Sequence, residues 1–252
     1  MSDQETFISH LIELRQRLVR AVVAVLAIFV VLFIWPGSGP IYDALALPLM
    51  SALPEGAKMI ATGVITPFMV PVKVTALVAF MIALPYVLYQ AWAFVAPGLY
   101  EHEKKLALPL VIGSTVLFLL GVAFCYFFVF GRVFAFIHGF APKSITPAPD
   151  IEAYFSFVIT MFIAFGVTFE IPIVVVVLVR MGLVSVEKLR DARPYVIVGA
   201  FIIAAVVTPP DVLSQLLLAI PMCLLFEAGL VLARFVKAAE KNQPDLTTKG
   251  EI

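Results

Sequence analysis

The chain has 252 residues, 62% hydrophobic and 13% charged, and its mean hydropathy of +1.07 excludes an ordinary soluble domain and assigns it to the bilayer. Its 17 basic and 17 acidic side chains cancel, so no net charge draws it to nucleic acid, and the information lies in where each sign falls. Six candidate spans in this length leave no room for a separate soluble catalytic domain.

In chain order, Met1 to His10 is polar and mildly acidic, unlike the basic start of a cleavable signal peptide, and is expected to be retained. Apolar residues then recur at helical spacing at Phe7, Leu11, Leu14 and Leu18, which predicts a helix along the membrane surface before the first span. Glu13 stands among three arginines there and has two open readings: an i,i+4 pair with Arg17, or an acidic site at the cytoplasmic boundary shared with Glu103. Runs of about 20 apolar residues place spans near 18–35, 72–95, 106–130 and 155–179. A fifth run, 195–207, stops at Thr208-Pro209-Pro210-Asp211, and a sixth, 213–232, starts directly after it. The fifth rises only about 20 Å against a hydrocarbon core of roughly 30 Å, which predicts a locally thinned or displaced bilayer.

The expected architecture is an all-α integral membrane protein. Residues 1–240 form one domain of six transmembrane helices, with the fifth and sixth short, and 241–252 a flexible cytoplasmic tail. In this arrangement 13 of the 17 basic residues fall on one face, leaving Lys58, Lys73, Arg132 and Lys143 on the other. The positive-inside rule then puts both termini in the cytoplasm. Prolines within the spans, Pro85, Pro109, Pro172 and Pro221, each remove a backbone donor, and together they predict a curved, concave bundle. The two outer segments, 36–71 and 131–152, are read as a partly ordered cap.

The charged hairpin Tyr100-Glu101-His102-Glu103-Lys104-Lys105 falls between spans two and three on the cytoplasmic face, where exposed carboxylates point to a receptor for something basic. Within the bilayer an ionisable group costs several kcal/mol unless protonated, paired or wet. Glu170 is such a group, read either as functional or as a protonated carboxyl that fixes packing, with Thr168 and the carbonyl freed by Pro172 as local partners. Glu227 lies nearer the cytoplasmic end, where a basic residue can pair with it. Gln90, Gln215 and Thr208 add uncharged polar groups suited to a partner helix.

No catalytic constellation emerges. His10, His102 and His138 lie on different segments and both faces, so no metal site is expected. Cys125 and Cys223 read as small buried packing residues. No Walker loop, GxSxG or GxGxxG is present, and no cofactor is expected.

Several strings in order resemble the TatC family, the multispanning subunits of twin-arginine protein translocases. They are His10-Leu11-Ile12-Glu13-Leu14-Arg15, Leu88 to Tyr100 followed by Glu101-His102-Glu103, Phe165 to Pro172, Arg193-Pro194-Tyr195, Thr208-Pro209-Pro210-Asp211 and Ser214-Gln215. The resemblance covers nearly the whole chain. It implies a receptor for signal peptides with paired arginines in a bacterial cytoplasmic membrane. Such a receptor works with single-span TatA-type and TatB-type partners, as a homo-oligomer within a larger complex, to export folded proteins on the proton motive force.

By the same resemblance, Glu103 and Glu13 hold the arginine pair, Phe94 supplies an apolar wall and Glu101 assists. Glu170 and Gln90 are intramembrane polar residues of the concave face. Thr208, Gln215 and Asp211 belong to a partner-helix docking surface, and Pro48 and Met59 to the cap. The chemistry agrees, since a guanidinium is a fork of donors matched to carboxylates. A proton-coupled transporter of a small solute, with Glu170 carrying the proton, is the alternative; an intramembrane enzyme lacks a nucleophile with a base.

Overall fold

The computed structural model describes residues 3–51, 59–95, 107–140 and 148–241. Helices account for nearly all of it: α1 (Asp3–Ile34), α2 (Ser38–Met50), α3 (Thr66–Val95), α4 (Ala107–Phe124), α5 (Phe130–Phe140), α6 (Ile151–Phe169), α7 (Ile171–Arg180), α8 (Val186–Asp191), α9 (Arg193–Val207) and α10 (Val212–Lys241). Among the described residues, extended pairing is limited to one isolated parallel bridge, Ile60 with Asp150.

Among the described residues, five helical stretches are long and apolar enough to cross a membrane: His10–Ile34, Thr66–Phe94, Leu108–Ile137, Ile151–Arg180 and Val212–Phe235. The fifth apolar helix in chain order, Arg193–Val207, has 15 residues, two more than the sequence run, and still rises only about 22 Å, whereas the sixth span, expected to be short, runs 24 residues from Val212 to Phe235 because α10 continues unbroken past Pro221.

Where the helices depart from expectation, the reason is local. Phe7 to Leu18 is not a separate surface helix, because no glycine or proline interrupts Asp3 to Ile34 and α1 runs unbroken through it for 32 residues. Pro85 and Pro221 lie inside helices that continue past them. Pro109 sits in the first turn of α4, where its missing N–H is no loss. Pro172 alone of the four marks a break: α6 ends at Phe169, Glu170 caps it, and α7 starts again with proline in its first turn. The third span carries an unexpected π-helical turn, Cys125–Val129, joining α4 to α5. Just beyond it the Arg132 guanidinium lies 3.9 Å over the Phe128 ring.

One core of buried residues runs from α2 through α3, α4 and α5 to α6, with Val74, Cys125, Phe130, Phe155, Met161 and Phe165 at its centre. A smaller one ties α7, α8 and α10 through Val175, Val186, Phe226, Leu230 and Ala233. In lipid the helices associate through close packing, which small residues permit. A Cβ on Gly121 would stand 2.5 Å from the Phe165 carbonyl oxygen, and one on Gly166 would enter the Phe118 ring. Those two glycines let α4 and α6 approach closely where Phe118–Gly121 faces Phe165–Phe169.

Candidate functional site

At the end of the bundle where α3 finishes, the His10 and Phe94 rings stack, centroids 4.3 Å apart and 23° from parallel. Helical spacing puts Glu13 one turn along α1 from His10, so the N-terminal part of α1 and the last turn of α3 converge. Glu13 accepts from the Arg17 guanidinium through Nε at 2.9 Å and Nη2 at 2.6 Å. Phe94 and Glu13, two of the expected arginine-binding residues, are thus brought into one neighbourhood. Glu101 and Glu103 lie outside the described residues, in the segment that follows Phe94 in the chain.

Deeper in the bundle, Glu170 occupies the α6–α7 break, and its Oε1 is buried with no hydrogen-bond partner among the described residues. Thr168, expected as its partner, is buried and turned into an apolar groove instead. A polar group that sequence reading missed is Ser114 of α4, which is completely buried. Ser114 in turn accepts the indole N–H of Trp92 at 3.0 Å. The available signal was a small polar run, Gly113-Ser114-Thr115, inside an apolar span. Gln90 is also buried, and its Oε1 has no partner among the described residues.

The turn between α9 and α10 uses most of its polar groups internally. Thr208 is buried and its hydroxyl donates to the Ala204 carbonyl at 2.8 Å. Asp211 caps α10 by accepting the Ser214 N–H at 2.7 Å, while its Oδ2 is buried and unpartnered among the described residues. Gln215 reaches back across the turn, its Nε2 donating to the Phe201 carbonyl at 3.2 Å. Gln215 ties α10 to α9 directly, while Thr208 and Asp211 close the adjoining ends of their own helices. At the far end of α9, Arg193 pairs with Glu227 of α10 at 2.5 Å.

Beside α9 lies an apolar groove of about 540 Å³ lined by Ile163, Val167, Ile171, Val196, Ala200 and Leu218 among others. A second groove of about 450 Å³, bordered by Lys73, Leu77, Phe80 and Phe118, shares Ile163 and Val167 with it.

The cap is tied to the spans by named bonds. Tyr126 donates to the Ala44 carbonyl at 2.8 Å and Tyr154 to that of Leu45 at 3.0 Å, anchoring α2. Pro48 sits within α2, its carbonyl accepting from Ser51, and Met59 packs partly buried on the core. Asp150 takes the backbone N–H groups of Glu152 and Ala153 on Oδ1 and the N–H and hydroxyl of Thr62 on Oδ2. The Ala153 N–H, followed by the Thr62 hydroxyl, holds its carboxyl below the usual carboxylate range.

The family described as "Sec-independent protein translocase protein (TatC)" matches residues 9–221. The Sec-independent protein translocase protein TatC of Haemophilus influenzae is 51% identical over 235 residues, covering 93% of this chain and 91% of its own. That of Escherichia coli strain K12 is 46% identical over 245 residues, 97% and 94% of the two chains. A crystal structure of a twin arginine translocase receptor, TatC, superposes with a TM-score of 0.79 at 38% identity, covering 90% of this chain and 99% of that one. With the broken fourth span, the short fifth helix and the order of motifs all in place, the chain belongs to the TatC family and is a multi-pass membrane subunit of a twin-arginine translocase.

Proposed function

We propose that this subunit is the receptor that binds twin-arginine signal peptides at the convergence of α1 and α3. The observation that carries the reading is the His10–Phe94 stack, which brings the α1 turn bearing Glu13 to the helix end that leads into Glu101 and Glu103. In the free protein Arg17 occupies Glu13 as an intramolecular stand-in for a peptide guanidinium. An incoming arginine exchanges one ion pair for another, and Phe94 gives its aliphatic stem an apolar wall.

Both termini are cytoplasmic in this reading, as the 13-to-4 division of basic residues supports, and the membrane is the bacterial cytoplasmic membrane. The chain assembles as a homo-oligomer with TatA-type and TatB-type single-span partners. Their helices dock against α9 and α10 near Thr208, Asp211 and Gln215, beside the apolar groove. Gln90 and Glu170 are the polar groups of the membrane interior that respond during transport. Folded cargo crosses on the proton motive force, and the subunit itself binds without catalysis.

The test is binding of a synthetic peptide carrying two arginines to the full chain in detergent, against a twin-lysine peptide and against Glu103→Ala and Glu13→Ala. A charge-assisted hydrogen bond lost from such a site costs about 1.5–3 kcal/mol, a roughly tenfold or greater loss of affinity. Equal binding in all arms removes the acidic site. Solute uptake into liposomes is then the measurement, with Glu170 as proton carrier.

A further inference from the structure

Among the described residues, one buried polar atom without a partner belongs to α3. Gln90 has only 5% of its surface exposed, and its Oε1 is enclosed with no hydrogen-bond partner among them. Where Gln90 faces follows from its neighbours on the helix. Trp92, two residues on, donates to Ser114 of α4 at 3.0 Å. Two residues along an α-helix turn through about 200°, so Gln90 points away from α4. Phe94 is one turn on from Gln90, shares its face and stacks on His10 of α1. Ala79 and Ala83, further back on that face, are buried yet stand outside the core that joins α3 to α4 and α6, as small residues at a close helix crossing do.

Helix α1 ends and α3 begins at the cap, so the two run in opposite directions. One turn inward from the His10–Phe94 stack therefore come Glu13 and Leu14 on α1 and Gln90 on α3. Between His10 and Ala21 every residue of α1 is exposed except Glu13, Arg17 and Ala21, which makes those three its α3-facing stripe. The Glu13–Arg17 pair thus lies on the seam opposite Gln90. Arg17 Nε and Nη2 nevertheless both donate to Glu13 Oε1, and the Gln90 carbonyl is left without a donor.

We propose that Gln90 is a specificity residue of the twin-arginine site: its side-chain carbonyl is the second, uncharged acceptor for the guanidinium that displaces Arg17 from Glu13. The inference rests on the receptor reading. A guanidinium carries five donors on a rigid planar fork, so one edge engages the carboxylate while another meets a carbonyl held across the helix seam. An ammonium is a compact point charge that pairs with the carboxylate and lacks the fork that spans to the amide. Arginine binding also relieves a buried acceptor that Arg17 leaves unpaired, so the peptide gains at Gln90 what the intramolecular stand-in does not.

The full chain in detergent is titrated with the twin-arginine and the twin-lysine peptide, as wild type and as Gln90→Leu, Gln90→Asn, Gln90→Glu, Glu13→Ala and Glu103→Ala. Gln90→Leu, of similar size and without a side-chain polar atom, is expected to weaken the twin-arginine peptide about tenfold or more and the twin-lysine peptide by less than about twofold, so the preference for arginine collapses. Its thermal midpoint stays level or rises, because a buried orphan acceptor has gone. Gln90→Asn keeps an amide but withdraws it by one methylene and shows the same loss of preference, so the inference stands or falls without the apolar variant. Gln90→Glu restores an acceptor in place and keeps the preference. Gln90→Leu combined with Glu13→Ala costs less than the product of the two single losses, since both side chains hold one guanidinium. Equal losses on both peptides, with no recovery in Gln90→Glu, make Gln90 a packing residue and overturn the inference. A preference that Gln90→Leu and Gln90→Asn leave intact also overturns it, while loss of binding in Glu13→Ala and Glu103→Ala then leaves the receptor standing without it. A wild type that binds both peptides equally overturns the receptor reading and this inference with it.

Discussion

Glu13 shows how one side chain serves folding and recognition. Its ion pair with Arg17 is partly exposed and of the i,i+4 kind, worth about 0.3–0.5 kcal/mol. Arg17→Gln therefore tightens a twin-arginine peptide by about twofold, since a competitor for Glu13 has gone; unchanged or weaker affinity in a binding isotherm shows that Glu13 is not the acceptor. Asp150 illustrates the opposite case, a carboxylate consumed by structure. Its folded pKa lies below the unfolded one, so the stabilisation it gives the cap is present above the ordinary carboxylate pKa and is lost as pH falls through the lower folded value. Amide exchange at Ile60 and Thr62, flat from neutral pH into the mild acid range once corrected for intrinsic rates, accelerates only in stronger acid, and Asp150→Asn weakens this dependence. Glu13 was legible in the sequence as pair or site. The Trp92–Ser114 bond was not, because the two residues are 22 apart in the chain and only packing brings α3 against α4.

At the scale of the element, glycine decides how closely helices approach. Gly121→Ala forces apart α4 and α6, since its Cβ would sit 2.5 Å from the Phe165 carbonyl oxygen and 2.9 Å from Phe169 Cγ. Overpacking of this kind costs about 1–3 kcal/mol. Gly131→Ala, with nothing within 4 Å of its Cβ, is neutral or gains up to about 1 kcal/mol of helix propensity. Thermal unfolding of both variants in one detergent checks the contrast. Periodicity exposed neither the π-helical turn at Cys125–Val129 nor the different behaviour of the four prolines. An apolar run looks the same whether the ladder inside it is regular, bulged or broken, and a proline breaks or bends a helix according to what its neighbours hold.

For the whole molecule, the short α9 sets the relation to the membrane. Gln215 at the turn and the Arg193–Glu227 pair at the other end fasten α9 to α10, so the short helix is held against a neighbour long enough to span the bilayer. A helix rising about 22 Å beside spans of 24 to 30 residues calls for a bilayer thinned locally by several ångström. A density map of the protein in a lipid nanodisc, averaged around the α9–α10 side, measures it; a bilayer of full thickness there removes thinning from the account of how wide folded cargo crosses.

The sequence by itself determined the class of the molecule, the approximate spans, the shortness of the fifth helix and the family, because hydropathy over about 20 residues and short ordered motifs are properties of the chain alone. Tertiary structure decided which groups meet: Phe94 with His10, Trp92 with Ser114, Gln215 with the Phe201 carbonyl, and Asp150 with Thr62. Each joins residues distant in the chain, the first three across helix interfaces and the last within the cap, so that only packing of the whole chain selects the partner.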